Sequence, residues 1–223
     1  MALPNLMEVI ADVRINLAKA QGECEYYAEW LTRTEPKIEE NFFKIYWKHI
    51  VSTNEILRMY MDTTLEIEPL LFRKDYDERF MLVLRASWIF QMSVSEYSMK
   101  KILRDSKGSL SDWYQNLPDH SYVKGEKRGG SLRNIVEKSK DLGIIDNEQC
   151  TSWISLQEMR NAIIHNNGFI EEDKCYAIGK VKKKIKAGDR IKYSHMNSAF
   201  FIRYIPTLSK MWLEGVINSH IFS

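Results

Sequence analysis

Leu156-Gln157-Glu158-Met159-Arg160-Asn161-Ala162-Ile163-Ile164-His165-Asn166-Asn167-Gly168 decides how the rest of the chain reads. Leu156, Met159, Ile163 and Ile164 recur at helical spacing and form one apolar stripe. Asn166-Asn167-Gly168 stops the helix, because glycine enters the left-handed region without the steric cost of a Cβ. Three polar groups interrupt the last turns: Arg160, Asn161 and His165. Asn161 and His165 are four apart and share a face. Arg160 is five before the histidine, about 7.5 Å along the axis and roughly 140° around it in a regular helix. One regular helix therefore does not carry both groups to one point. A second copy of the helix, or a distorted last turn, could.

Upstream of this stretch the signals are helical. Asp146, with Gln149 three later, forms a capping box for a helix from about Asn147 to His165. Ser131 caps a helix through Asp141, with Leu132, Ile135, Val136 and Leu142 on its apolar side and Gly143 at its end. Residues 106–130 are irregular, with a short helix over Leu110 to Asn116 and a glycine-bounded loop holding Lys124, Lys127 and Arg128. That loop reads as solvated rather than phosphate-binding. Asp75-Tyr76-Asp77-Glu78 opens a helix to about Arg104, apolar nearly all round from Phe80 to Phe90 and so expected at the centre of the fold. Pro4-Asn5 opens a first helix from Leu6 to about Arg33, with Gly22 as its soft spot and Glu35-Pro36 as its end. A second helix is expected from near Pro36, with Glu39 and Glu40 in its first turn, to Pro69, and the pair forms an antiparallel helical hairpin.

Downstream the period changes. Tyr176 to Tyr193 alternates, which predicts a β-hairpin turning at Ala187-Gly188-Asp189 with Val181, Ile185, Ile191 and Tyr193 as its apolar members. Lys182, Lys183, Lys184, Lys186 and Arg190 make this the strongest local positive charge in the chain. They are candidates for a phosphate-binding wall. The plainer account is a charged hairpin that resists edge-to-edge pairing. A last apolar helix starts at Ser198, with Pro206 in its first turn or at a kink. The expected fold is mainly α, an up-and-down helical arrangement with a small β-hairpin near 176–194. Residues 1–223 read as one domain, in which 1–72 are an N-terminal helical hairpin extension and 73–223 a core carrying the basic hairpin at 174–194.

With 44% hydrophobic residues, the 223-residue chain can bury a sizeable core. A net charge of only +2 gives no global preference for nucleic acid, so such a function would need a local basic patch. Cys24, Cys150 and Cys175 are odd in number and widely spaced, which fits reduced thiols in the cytoplasm and no zinc site. No metal or cofactor is expected. The N-terminus lacks an apolar run of signal-peptide type, and no window is apolar enough to predict a membrane span.

The motif stretch resembles the signature of the HEPN superfamily: arginine, four to six residues, then histidine at a helix end. Here four residues, Asn161 to Ile164, separate Arg160 from His165, and Asn follows the arginine as it commonly does in that family. The resemblance covers the thirteen quoted residues and a helical frame before them. It implies an all-helical domain, usually a homodimer, in which Arg160 and His165 meet across the interface as a metal-independent ribonuclease site. Asn161 would orient the histidine or bind phosphate. It also implies an acidic residue on the helix packed against the motif helix, and Glu96 is the candidate. The competing reading of Glu96 is a surface pair with Lys100, four residues on.

The chemistry suits the residue types. RNA carries its own nucleophile, the 2′-hydroxyl. Histidine, with an ordinary pKa of about 6.5, can take and give protons near neutrality. Arginine stays charged and offers a planar fork to phosphate oxygens. The resemblance implies a 2′,3′-cyclic phosphate product, RNA as substrate, and a setting as a toxin or antiviral defence factor with an antitoxin or defence-system partner. The alternative is a catalytically inactive HEPN-like dimer that binds nucleotide, RNA or a protein. The plainest reading of the motif is structural: Arg160 pairs with Glu158 or Glu96, and His165 caps its own helix end.

Overall fold

A computed structural model describes residues 6–36, 38, 41–66, 73–117, 130–192 and 194–219. Pro4-Asn5, Glu39, Glu40, Pro69, the loop cations Lys124, Lys127 and Arg128, and Tyr193 lie outside the described residues. The chain is mainly helical: α1 (Leu6–Thr34), α2 (Phe42–Glu66), α3 (Arg73–Asp105), α4 (Ser109–Gln115), α5 (Leu132–Asp141), α6 (Asn147–His165) and α7 (His195–Asn218), with β1 (Lys174–Ile178) and β2 (Val181–Ile185) between the last two. None of the described helices is long and apolar enough to cross a membrane. Two compact units emerge, one of Met1–Val94 with Tyr193–Thr207, the other of Ser95–Lys192 with Leu208–Ser223.

In the first unit α1 and α2 form the expected antiparallel hairpin. Arg14, early in α1, donates to Asn54, midway along α2, at 3.0 Å, while Tyr27, near the end of α1, packs edge-on against Phe43 at the start of α2. Ile10, Val13, Leu17 and Leu31 of α1 and Phe43, Tyr46, Ile50 and Leu57 of α2 are buried, the i, i+3, i+4 spacing that the sequence carries. Each such side chain contributes about 1.5–3 kcal/mol of burial. The second helix starts at Phe42, not near Pro36. Asn41, one residue ahead of the helix, is tied back to α1: its side-chain amide donates to the Ala28 carbonyl at 2.7 Å and to Thr32 at 3.2 Å. The α3 helix is less enclosed than its composition implies. Leu84, Trp88 and Met92 are sealed, but Leu82, Phe90 and Tyr97 stay exposed.

The second unit holds the motif. Trp153, Leu156 and Met159 of α6 are buried with Leu132, Ile135 and Val136 of α5 and Leu208, Trp212 and Val216 of α7. Trp212 Nε1 donates to Ser139 Oγ at 3.0 Å, which satisfies a polar group inside that core. Local caps fall where the sequence puts them. Ser131 accepts from the Asn134 amide, and Asp146 and Gln149 make the reciprocal capping box of α6.

The hairpin differs from its expected form. Its strands pair antiparallel from Lys174↔Ile185 to Ile178↔Val181 and turn at Gly179-Lys180, not at Ala187-Gly188-Asp189. Gly179 takes φ 53, and a glycine at the first of two central positions suits the right-handed twist of the flanking strands. The Ala-Gly-Asp segment is a second turn, and it brings the chain back to the end of α6. Ile170 N–H donates to the Asp189 carbonyl at 3.0 Å, Gly188 N–H to the Ile170 carbonyl at 2.8 Å, and Ile191 N–H to the Gly168 carbonyl at 2.8 Å. The last helix begins at His195, three residues before the expected Ser198, because Ser194 caps it by accepting from the Asn197 amide. Pro206 lies inside it.

Candidate functional site

The terminus of α6 is closed by a tight reversal. Asn166 is the last cap residue, and Asn167 and Gly168 both take left-handed backbone conformations, φ 50 and 84. The amides of Asn166 and Gly168 both donate to the Ala162 carbonyl, at 3.0 and 2.8 Å, so the orphan carbonyl at the helix end is occupied. Asn166 also donates from its side chain to Glu171 at 2.9 Å. His165 is exposed at this terminus and makes no side-chain hydrogen bond among the described residues. Ile164, its neighbour in the chain, and Phe169, just past the reversal, are also exposed.

Arg160 is placed differently. Its side chain is only 16% exposed, and Nη1 donates to Glu96 Oε2 at 3.1 Å. Glu96 lies on α3, so the contact spans 64 residues of sequence. The other carboxylate oxygen of Glu96 accepts from Lys100 Nζ at 2.7 Å. The two readings of Glu96 are thus compatible: it pairs with Lys100 and with Arg160 at once. Burial works to raise the Glu96 carboxyl, but Lys100 and Arg160 outweigh it and hold the group below its usual range. Glu158, the other acid considered for Arg160, is taken by Arg133 at 3.2 Å and Lys174 at 3.9 Å. Arg160 Nε is buried and has no hydrogen-bond partner.

Within one chain the geometry does not unite the motif. Arg160 faces Glu96, His165 faces solvent, and no hydrogen bond joins them. Asn161 is half-buried between the two and makes no side-chain hydrogen bond among the described residues. The other described histidines belong to the first unit and stack on aromatic rings there. His49 stacks on Phe90 at a centroid separation of 4.2 Å, His195 on Phe80 at 4.7 Å, and His120 and His220 fall outside the described residues.

The basic hairpin is attached to the motif helix by two serines. The Ala177 and Gly179 amides donate to Ser155 and Ser152 of α6, each at 3.0 Å, so the strand edge that β2 leaves open is met by hydroxyls. The five candidate cations of the hairpin divide into three groups. Lys182 and Lys184 lie exposed on one face, opposite Ala177 and Cys175, and Lys186 is exposed beyond the strand. Lys183 is half-buried on the other face, where its ammonium donates to the Lys192 carbonyl and burial pushes its pKa down. Arg190 is exposed but engaged: Nε donates to the Asn167 carbonyl and Nη2 to its side-chain oxygen. Neither the serines nor the Arg190–Asn167 contact was legible in advance. The only available signal was the left-handed tendency of Asn-Asn-Gly, which marks Asn167 as a residue needing support.

The electrostatic content is therefore two cationic regions: Arg160 with Lys100 on a shared carboxylate, and Lys182, Lys184 and Lys186 on a hairpin held to the first half of α6 by Ser152 and Ser155. Comparisons with protein-family models, with curated proteins and with solved structures find no match to this chain.

Proposed function

We propose that the chain is a metal-independent endoribonuclease of HEPN type, acting as a homodimer in the cytoplasm. The observation that carries the reading is the division of labour along the last turns of α6. Arg160 is part-buried and held by Glu96, while His165, five residues on, is exposed and unengaged. A cation fixed by a second element suits phosphate binding, and an unencumbered imidazole suits proton transfer. The exposed Lys182, Lys184 and Lys186 supply a basic surface on the hairpin that follows the motif in the chain.

The proposed step needs no external nucleophile. His165 takes the proton of a ribose 2′-hydroxyl, the 2′-oxygen attacks phosphorus, and the bond from phosphorus to the 5′-oxygen breaks. The products are a 2′,3′-cyclic phosphate and a 5′-hydroxyl, whose proton comes from an imidazolium. Arg160 binds the phosphoryl oxygens as charge builds on them. Because Arg160 and His165 of one chain lie on different sides of the helix, the reading places the two groups on a shared phosphate through a second copy. The exposed Ile164 and Phe169, within four residues of His165 in the chain, give that copy apolar side chains to cover.

The biological setting, a toxin or antiviral defence factor with an antitoxin or defence-system partner, follows from the family resemblance. The test is incubation of wild type, Arg160→Ala and His165→Ala with RNA in the presence of EDTA. Cleavage by wild type, lost in both variants, with cyclic-phosphate ends, is the expected result. Equal cleavage by all three would mean a contaminating nuclease. No cleavage by a folded wild-type dimer that still binds RNA would leave the second reading, an inactive RNA-binding module.

A further inference from the structure

Glu96 is the meeting point of two cations. Its carboxylate is 19% exposed, and it receives Lys100 from one turn along α3 and Arg160 from α6. With Arg160 as sole partner the pair would be neutral, and the guanidinium charge would be spent on Glu96. Lys100 changes that balance: three groups, two positive and one negative, leave a net positive charge at a part-buried position. The contact distances point the same way, since Lys100 lies at 2.7 Å from the carboxylate and Arg160 at 3.1 Å. Glu96 engages only Nη1 of Arg160, and Nε on the far edge of the fork is a buried donor without a partner. With Nε sealed from solvent, Nη2, which no described residue engages, is the donor left for a phosphate oxygen.

From this geometry we infer that Lys100 is a positioning residue for anion binding: it compensates Glu96, so that Glu96 orients Arg160 without neutralising it. The inference rests on the reading of Arg160 as a phosphate ligand. Its ligand class is a phosphodiester of a single-stranded polyribonucleotide. Lys100 acts through Glu96 and touches no reacting atom.

The full chain is tested with a fluorescent single-stranded oligoribonucleotide bearing 2′-O-methyl groups throughout, which binds but cannot be cleaved. The unmodified oligonucleotide is run in parallel for cleavage. K100M is expected to weaken binding about tenfold, the scale of losing one part-buried charge contact, and K100R to bind within about twofold of wild type. The decisive variant is E96Q/K100M. With the carboxylate charge gone Lys100 has nothing to compensate, so this double variant is expected to recover binding to within about twofold of wild type. A merely structural lysine would not be rescued by a second substitution at its own partner. K100Q carries the same comparison should K100M fail to fold. The inference is overturned if the Lys100 variants bind as wild type does, if E96Q does not restore binding, or if wild type does not bind. Lys100-dependent binding without cleavage keeps the inference and removes the ribonuclease reading. Cleavage that ignores Lys100 does the reverse.

Discussion

Arg190 clamps Asn167. Its Nε donates to the Asn167 backbone carbonyl at 3.0 Å and its Nη2 to the Asn167 side-chain oxygen at 3.1 Å. Asn167 is the only described non-glycine residue with positive φ, and it follows His165 by two positions. The guanidinium thus supports the one strained backbone position at the end of the motif helix, across a gap of 23 residues.

The first prediction follows from that clamp. Arg190→Ala should leave the core intact and loosen the α6 terminus. Exposed hydrogen bonds of this kind are worth about 0.5–1.5 kcal/mol each, so global stability should fall by roughly 1 kcal/mol. Amide exchange should accelerate at Gly168 and Ile191, which sit beside the clamp, and stay unchanged at the buried middle of α6. Lysine cannot reproduce a two-pronged contact, so Arg190→Lys should resemble the alanine variant. Unchanged exchange at Gly168 would show that the reversal holds itself.

Stability and activity should separate at the two motif residues. His165 is exposed and unbonded, so His165→Ala should change unfolding free energy by less than about 0.5 kcal/mol. Its cleavage rate should nevertheless fall by about 10²–10⁴-fold, the usual worth of a general acid or base. Arg160→Ala leaves Glu96 with Lys100 alone, and a cost of about 1 kcal/mol is expected in urea melts. In cells, His165→Ala should accumulate to higher levels than wild type if cleavage is toxic. Equal accumulation would count against the toxin setting.

The third prediction concerns pH. The Glu96 carboxyl is held below its ordinary value of 4.5 by Lys100 and Arg160 against an opposing push from burial. Its folded pKa is lower than its unfolded one, so the unfolded chain binds more protons in the acid range. Its contribution to stability is therefore present above about 4.5 and is lost as pH falls from there through the lowered folded value. Urea unfolding of wild type and Glu96→Gln should run parallel from neutrality down to about pH 5 and converge below it. A constant difference down to pH 3 would show that Glu96 carries no linked proton.

How much of this was legible in the sequence depended on distance along the chain. The caps at Ser131 and Asp146 were readable because their chemistry closes within three residues. The hairpin turn was misplaced because Gly179-Lys180 and Ala187-Gly188-Asp189 are both turn signals. Only the long-range bonds of Asp189 and Ile191 to Ile170 and Gly168 decide which one joins the strands. The pairing of Glu96 with Arg160 came from a resemblance, since nothing local links residues 64 apart. Ser152 and Ser155 gave no warning of their role, because serine inside a helix has no periodic signature. The start of α2 was misjudged because proline suits a first turn in general, and Asn41 reaching back to α1 is a tertiary fact.

Glycine supplies the last prediction, because two helical glycines should respond with opposite signs. Gly22 looked like the weak point of α1, yet the helix runs through it, and a Cβ built there meets nothing within 4 Å. Gly22→Ala should stabilise the protein by about 0.5–1 kcal/mol, by removing backbone freedom from the unfolded chain. Gly215 of α7 is the reverse case. A Cβ there would lie 2.1 Å from the Ile144 carbonyl oxygen and 2.9 Å from its Cγ2. Backbone cannot yield as a flexible side chain does, so α7 must shift away from the turn between α5 and α6. Gly215→Ala should therefore cost about 1–3 kcal/mol despite the better helix propensity of alanine. Thermal melts of the two single variants and the double decide the matter. Opposite signs in the two single variants are the expected result, and a stabilised Gly215→Ala would mean that α7 does not approach Ile144 this closely.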